Sequence, residues 1–183
     1  MTLKGQHLEL LPVDSPEYKK HINKFKDLHL INLYKIHYTG ADENNNSDDS
    51  WSDPIYFHGT GHCGCIDRHI ERRTGSVRIS VSEWCQHDDG CETRGILLQG
   101  HCREHSLHEG RHYFSEDIEV ALKYAADGLQ EHVASDNLSN KARFSLFLCK
   151  ARNIHLGHEA MHRYVVSDYD IIPCYLVIVC RQL

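Results

Sequence analysis

No stretch of the chain approaches the apolar length of a bilayer span, which takes about 20 residues. The start, Met1-Thr2-Leu3-Lys4-Gly5-Gln6, lacks the basic head, apolar stretch and small-residue cleavage site of a secretory signal. No internal repeat is visible. Basic charge is scarce: 20 Lys and Arg against 26 Asp and Glu leave a formal net charge of −6. That balance argues against a general duplex-binding surface and leaves room only for a local basic groove. Interleaved aromatic and basic residues, the footprint of a nucleic-acid module, are missing too. These absences predict a membrane-free protein of the cytoplasm or nucleus. In such a compartment eight cysteines do not make a disulfide framework.

With 183 residues, 40% apolar and 25% charged, the chain suits one globular domain with a core that needs no staples. The expected organisation is a single domain over 1–183, interrupted by a Cys/His-rich insertion at about 61–108.

The organising stretch is Asp53-Pro54-Ile55-Tyr56-Phe57-His58-Gly59-Thr60-Gly61. Pro54 suits the first residue of a strand, because it cannot donate to a ladder. Ile55, Tyr56 and Phe57 fit a pleated, half-buried surface. Gly59 and Gly61 then predict a sharp turn and a close ligand approach. The strand would deliver one imidazole, His58, to a pocket mouth. The plain alternative is an ordinary strand-end histidine.

Elsewhere the pattern alternates between helix and strand. Leu8 to Leu11 reads as a short strand. Ser15 before Pro16 is a helix cap, with Tyr18, Ile22, Phe25 and Leu28 at helical spacing. Leu30 to Tyr38 reads as a strand or a strand–helix mixture. Residues 42–53 read as a loop, 66–73 as a short helix, 76–82 as a strand and 136–141 as a loop. Arg111 to Ser115 reads as a strand. Ser115 should cap a helix over 116–128, with Glu116, Asp117 and Glu119 in its first turn. Ile118, Ala121, Leu122 and Ala125 form its apolar stripe. Phe144 to Cys149 and Tyr175 to Cys180 are near-continuous apolar runs, the mark of buried strands. Tyr164 to Val166 is a further strand, and 167–170 a turn. Many short strands with helices mostly in the first two thirds predict an α+β fold around a split or two-layer sheet.

Cys63, Cys65, Cys85, Cys91 and Cys102 lie between Gly61 and His108, interleaved with histidines from a total of 16. Cys85, His87 and Cys91, followed by His101, Cys102 and His105, could supply a structural zinc site with tetrahedral thiolate and imidazole ligation, Cys85, His87, Cys91 and Cys102 being the leading set. The spacing matches no standard finger. Reduced thiols in a His-rich loop, or a disulfide such as Cys85 with Cys91, remain open. Cys149, Cys174 and Cys180 sit in apolar runs and read as core.

Four blocks stand in order: Tyr56-Phe57-His58-Gly59-Thr60; Tyr113-Phe114-Ser115 with Ala121 and Tyr124; Leu146 to Lys150; and Arg163-Tyr164-Val165-Val166-Ser167-Asp168 through Pro173 to Leu176. Over roughly residues 20–180 this series resembles the catalytic domain of the poly(ADP-ribose) polymerase family, the diphtheria-toxin-like ADP-ribosyltransferases. The resemblance implies split antiparallel β-sheets with flanking helices, and transfer of ADP-ribose from NAD to a protein acceptor, or to a nucleic acid as the second candidate. It implies that His58 bonds the adenosine ribose, that Gly59 holds the nicotinamide amide through its backbone, and that Tyr113 and Tyr124 pack on the nicotinamide. The catalytic positions are then His58, Tyr113 and Arg163. The NAD-holding ones are His58, Gly59, Thr60, Tyr113, Ser115 and Tyr124. Some family members carry a zinc site, but at a different chain position, so no ligand set carries over.

The departures limit the chemistry. The family's active polymerases have a glutamate where this chain has Arg163. A cation there has the wrong sign for an oxocarbenium and cannot accept a hydrogen bond. Glu159 lies four residues earlier and would reach the site only if its loop folded back. Ala121 stands where a serine is usual, and Glu109-Gly110-Arg111-His112 replaces the usual glycine block. The expectation is therefore mono- rather than poly-ADP-ribosylation, with a weak or inactive binding module of the same fold as the alternative. Arg111 or Arg163 could bind an anion through a guanidinium fork, or both could be solvated strand-end charges. For Tyr113 and Tyr124 the plain alternative is core packing.

Overall fold

The computed structural model describes residues 4–25, 28–39, 53, 55–60, 78–81, 91–99, 110–129, 143–157 and 162–181. The expected helix at 66–73, the loop at 136–141, nearly all of the loop at 42–53, and Glu159 lie outside them.

The elements in chain order are β1 (Lys4–Leu10), α1 (Pro16–Ile22), a 3-10 turn (Asn23–Phe25), β2 (Leu28–Thr39), β3 (Tyr56–Thr60), β4 (Arg78–Ser80), α2 (Glu92–Gln99), β5 (His112–Phe114), α3 (Ile118–Leu129), β6 (Arg143–Ala151), β7 (His155–Leu156), β8 (Arg163–Val165) and β9 (Ile171–Arg181). Among the described residues they form a six-stranded sheet ordered β3-β6-β9-β2-β1-β4 and a three-stranded sheet ordered β5-β8-β7. Every pairing is antiparallel. Mixed helices with antiparallel sheets are compatible with the α+β class read from the sequence.

The long apolar runs are central strands because both faces of the large sheet are covered. Successive side chains of a strand point to opposite faces. In β9, Leu176 and Ile178 therefore enter one core cluster, and Tyr175, Val177 and Val179 the other. In β6, Phe147 and Cys149 join the first, and Phe144, Leu146 and Leu148 the second. Leu97 of α2, Phe114 of β5 and Val165 of β8 belong to the first cluster. Tyr18, Phe25, Ala121, Leu122 and Ala125 belong to the second. The β5-β8-β7 sheet and α2 thus serve one face, while α1 and α3 serve the other.

Three local readings are corrected. The first helix ends at Ile22 and a 3-10 turn at Phe25, and Leu28 opens a strand instead of continuing the helical stripe. Ser15 does cap α1, its Oγ accepting from the Tyr18 amide at 3.1 Å. Gly59 makes no turn: β3 runs through it, paired with Leu146 of β6. Its missing side chain serves packing instead. A Cβ there would lie 1.9 Å from the Ala121 carbonyl oxygen on α3. Finally, α3 begins at Ile118, and Asp117 caps it, its Oδ1 accepting from the Glu119 amide at 2.9 Å. Ser115 acts one step earlier, accepting from the Asp117 amide at 3.0 Å.

The insertion is partly built into the fold. Its strand β4 pairs with β1, and Ile79, Val81 and Leu97 are buried in the first core cluster. The apolar island Ile96-Leu97-Leu98 therefore lies on a helix, α2, with Leu97 buried and Ile96 and Leu98 packed partly buried against the same cluster. Cys149 and Cys180 are buried as expected; Cys174 is half-buried, and burial pushes its thiol up to about 11. No helix among the described residues is long and apolar enough to cross a membrane.

Candidate functional site

The two sheets meet at β3. Phe57 and Ser115 form an isolated antiparallel bridge, with the Phe57 amide donating to the Ser115 carbonyl at 2.7 Å and the reverse bond at 3.0 Å. That bridge sets β5 against the exposed edge of β3, next to His58. The imidazole Nδ1 of His58 then lies 2.8 Å from the Tyr113 carbonyl oxygen. A carbonyl can only accept, so Nδ1 carries the hydrogen. Burial holds the His58 pKa below its ordinary value, against the opposing pull of that carbonyl; His112 lowers it further and Glu92 raises it. A neutral ring protonated on Nδ1 presents Nε2 as an acceptor.

Tyr113 pairs with Tyr164 across β5 and β8, and their rings are 5.6 Å apart. His162, two residues before Tyr164, lies on the same side. Its ring is 6.5 Å from Tyr113 and 5.8 Å from Tyr124. So His162 is in ring contact with each of the two phenols singled out in the sequence. Tyr124 reaches this place from α3 and is 42% exposed. The Arg111 guanidinium lies 5.0 Å from the Tyr164 ring centre and its Nη1 donates to the Tyr113 hydroxyl at 3.5 Å. His155 stacks on the other partner of this row, with its ring 5.2 Å from that of Tyr164. The outer face of the small sheet is thus an aromatic and cationic surface.

Arg163 does not join it. It pairs with Phe114, one residue out of step with Tyr113, so it points to the opposite face. Its Nε is 3.9 Å from Glu116 Oε1 and its Nη1 donates to the His162 carbonyl at 3.1 Å. The catalytic placement implied for Arg163 is therefore not one that brings it to the Tyr113 ring. Thr60 is buried and its hydroxyl donates to Glu92 Oε2 on α2 at 3.3 Å. Ser115 is buried too, with its hydroxyl engaged at the start of α3. Gly59 is pressed against α3 as described above.

A groove of about 490 Å3 opens at the N-terminal end of α3, lined by Lys24, Ile55, Phe57, Glu116, Asp117 and Ile118. It borders β3 but includes none of His58, Tyr113 and Tyr124.

Of the candidate zinc ligands only Cys91 lies among the described residues; Cys85, His87 and Cys102 lie outside them. Cys91 Sγ accepts from the Arg94 amide at 3.4 Å, in the posture of a helix cap for α2. Among the described residues no group of three or more Cys, His, Asp or Glu is placed to hold a metal ion.

Sequence reasoning missed His162, Tyr164 as a site residue, Glu92, and the buried His112, whose Nε2 is 2.6 Å from Asp168 Oδ1. The first two had a signal: His162 directly precedes β8 and Tyr164 follows two residues on, so one ring follows the other on the same side. Glu92 had none, because its neighbour Thr60 is 32 positions away. No family model matches the chain. No curated protein matches it either.

Proposed function

We propose that the chain is an ADP-ribosyltransferase-like protein that uses NAD to mono-ADP-ribosylate an acceptor, acting in the cytoplasm or nucleus. One observation carries this reading: His58, held through Nδ1 by the Tyr113 carbonyl, adjoins an aromatic row in which His162 links Tyr113 to Tyr124. The neutral His58 ring accepts a ribose hydroxyl at Nε2. The phenols take the flat, cationic nicotinamide, an attraction of about 0.5–2 kcal/mol per ring. The glycosidic C–N bond of the nicotinamide ribose breaks, and its electron pair leaves with neutral nicotinamide. An acceptor oxygen or nitrogen forms the new bond to the same carbon and gives its proton to solvent. Positioning and electrostatics supply most of the rate enhancement in such a step. A protein side chain is the first acceptor and a nucleic-acid end the second. Chain elongation does not fit Arg163.

That residue also favours the second reading, a binding module with weak or no turnover. A guanidinium paired with Glu116 gives no carboxylate to steady an oxocarbenium at that position. A structural zinc in the insertion is part of the same proposal, and metal analysis of the purified protein checks it.

Incubation with labelled NAD separates the readings. Transfer of label to the protein or an added substrate, lost in His58→Ala and Tyr113→Ala, supports catalysis. No label, with a rise in melting temperature on adding NAD, leaves an NAD-binding module. Neither label nor thermal shift removes NAD from the account.

A further inference from the structure

We propose that the outer face of the small sheet binds single-stranded nucleic acid, with a base stacked on the exposed ring of His155 and a backbone phosphate met by Arg111. The inference goes beyond the NAD reading and does not depend on it.

Strand register builds this surface. Tyr113, Tyr164 and His155 stand directly opposite one another across β5, β8 and β7. Residues paired in this way share a face of the sheet, so the three rings form one cross-strand ladder. Ring centres are 5.6 Å apart from Tyr113 to Tyr164 and 5.2 Å apart from Tyr164 to His155. The second pair is stacked, with 20° between the ring planes. Strand β7 ends the sheet, and both of its residues are exposed. Among the described residues, Tyr164 provides the one ring that His155 meets. The next place in the ladder is therefore open to a flat ring from outside.

Arg111 supplies the charge. Its guanidinium lies over the Tyr164 ring, 5.0 Å from the centre. Arg111 and His155 thus both contact Tyr164, which sets a cation one ring away from the stacking face. A guanidinium fork suits a phosphate. Two carboxylates close to these strands do not cancel it. Glu116 lies 3.9 Å from Arg163, which points to the opposite face, and Asp168 is held at 2.6 Å by the buried His112.

A ring ladder beside a phosphate-binding cation is the arrangement that holds single strands. It tolerates any sequence, because every base has a π-face. A duplex hides those faces. The net charge of −6 opposes a general duplex surface, but a ring ladder with one arginine needs no basic field. Aromatic and basic residues are not interleaved along the chain; here three separate strands bring them together.

The test is fluorescence anisotropy of the full chain with a labelled mixed-sequence single strand of about 12 nucleotides, a length within the usual site size. His155→Ala should weaken binding at least about fivefold, the low end of the worth of one base stack. His155→Phe keeps a ring face and should restore the affinity. Arg111→Gln should also weaken binding and lower the slope of log affinity against log salt by about 0.7, the share of one phosphate contact. Tyr169→Ala removes an exposed tyrosine outside the ladder and should change nothing. Matching melting curves show that each variant is folded; His155 is exposed on an edge strand, so its replacement leaves the core intact. Four results overturn the inference: no saturable binding by the wild-type chain, unchanged affinity in His155→Ala, a loss in His155→Phe equal to that in His155→Ala, or equal affinity for the strand annealed to its complement. AMP binding as tightly as the strand overturns it too, because the site would then take free nucleotides. The labelled-NAD experiment above has its own outcome, which none of these results alters.

Discussion

At the scale of single residues, Gly59 shows how one atom joins fold and site. The sequence assigns it to a ligand-facing turn, but its strand conformation is ordinary and the need for glycine comes from α3. A methyl group would lie 1.9 Å from the Ala121 carbonyl oxygen, 2.9 Å from its carbon and 3.0 Å from the Ala125 amide nitrogen. These are backbone atoms of a helix, so no side-chain rotation relieves the clash. Gly59→Ala should therefore cost about 1–3 kcal/mol in urea unfolding, the usual range for an overpacked core. Gly95 is the control. It lies inside α2, and a methyl there meets nothing within 4 Å. Gly95→Ala should raise stability by about 0.4–1 kcal/mol, because alanine loses less backbone freedom in a helix. Opposite signs for the same substitution would locate the effect in the α3 contact. Two losses of equal size would point to a general intolerance and refute the packing argument. Displacing α3 also moves Tyr124 away from His162, so Gly59→Ala should weaken any NAD-induced thermal shift.

The elements themselves divide by which signals a sequence carries. Helix α1 announces itself through Ser15 and Pro16, and the cap is where those residues place it. Central strands β6 and β9 announce themselves because their two-sided burial leaves no polar alternation to confuse with a helix. The start of α3 is less legible, since Ser115, Glu116 and Asp117 all look like first-turn or cap residues. The bridge between Ser115 and Phe57 decides it: with its backbone in a β-pairing, Ser115 cannot begin the helix, and Asp117 takes the role. Asp117→Ala should cost about 0.5–2 kcal/mol, the ordinary worth of an N-cap, read from the shift of the denaturation midpoint. If Asp117→Ala leaves that midpoint unchanged, the helix start is not held by this cap. Strand β7 was not foreseen, because two exposed residues carry no hydrophobic period. The strands that bear His58 and Tyr113, two positions of the candidate site, were legible in the sequence. The site was illegible where its parts meet only in space, as Thr60 meets Glu92, and where facing depends on register, as with Arg163.

At the scale of the whole molecule, the insertion between β3 and β5 is the feature that sequence and structure treat differently. By composition, residues 61–108 look like an appendage that a metal would order. Yet the described part of it supplies the last strand of the large sheet and a helix over β1. Ile79, Val81 and Leu97 are buried to 3%, 1% and 1% exposure. Each such side chain is worth about 1.5–3 kcal/mol on burial, or about 5–9 kcal/mol for the three. A domain has only about 5–15 kcal/mol in all. Removing the insertion would also uncover Leu8, which is fully buried and pairs with Ile79 across β1 and β4. The insertion is thus a structural part of the domain, and it carries the Glu92 carboxylate as well. Replacing residues 61–108 with a short Gly/Ser linker should therefore abolish a cooperative melt, as judged by the near-ultraviolet circular dichroism of the purified chain. An appendage would give the opposite result, with the shortened chain melting near the wild-type temperature. Retention of that melt would mean that β4 and α2 add little to the core, and that the two-sided cover of the large sheet is sufficient without them.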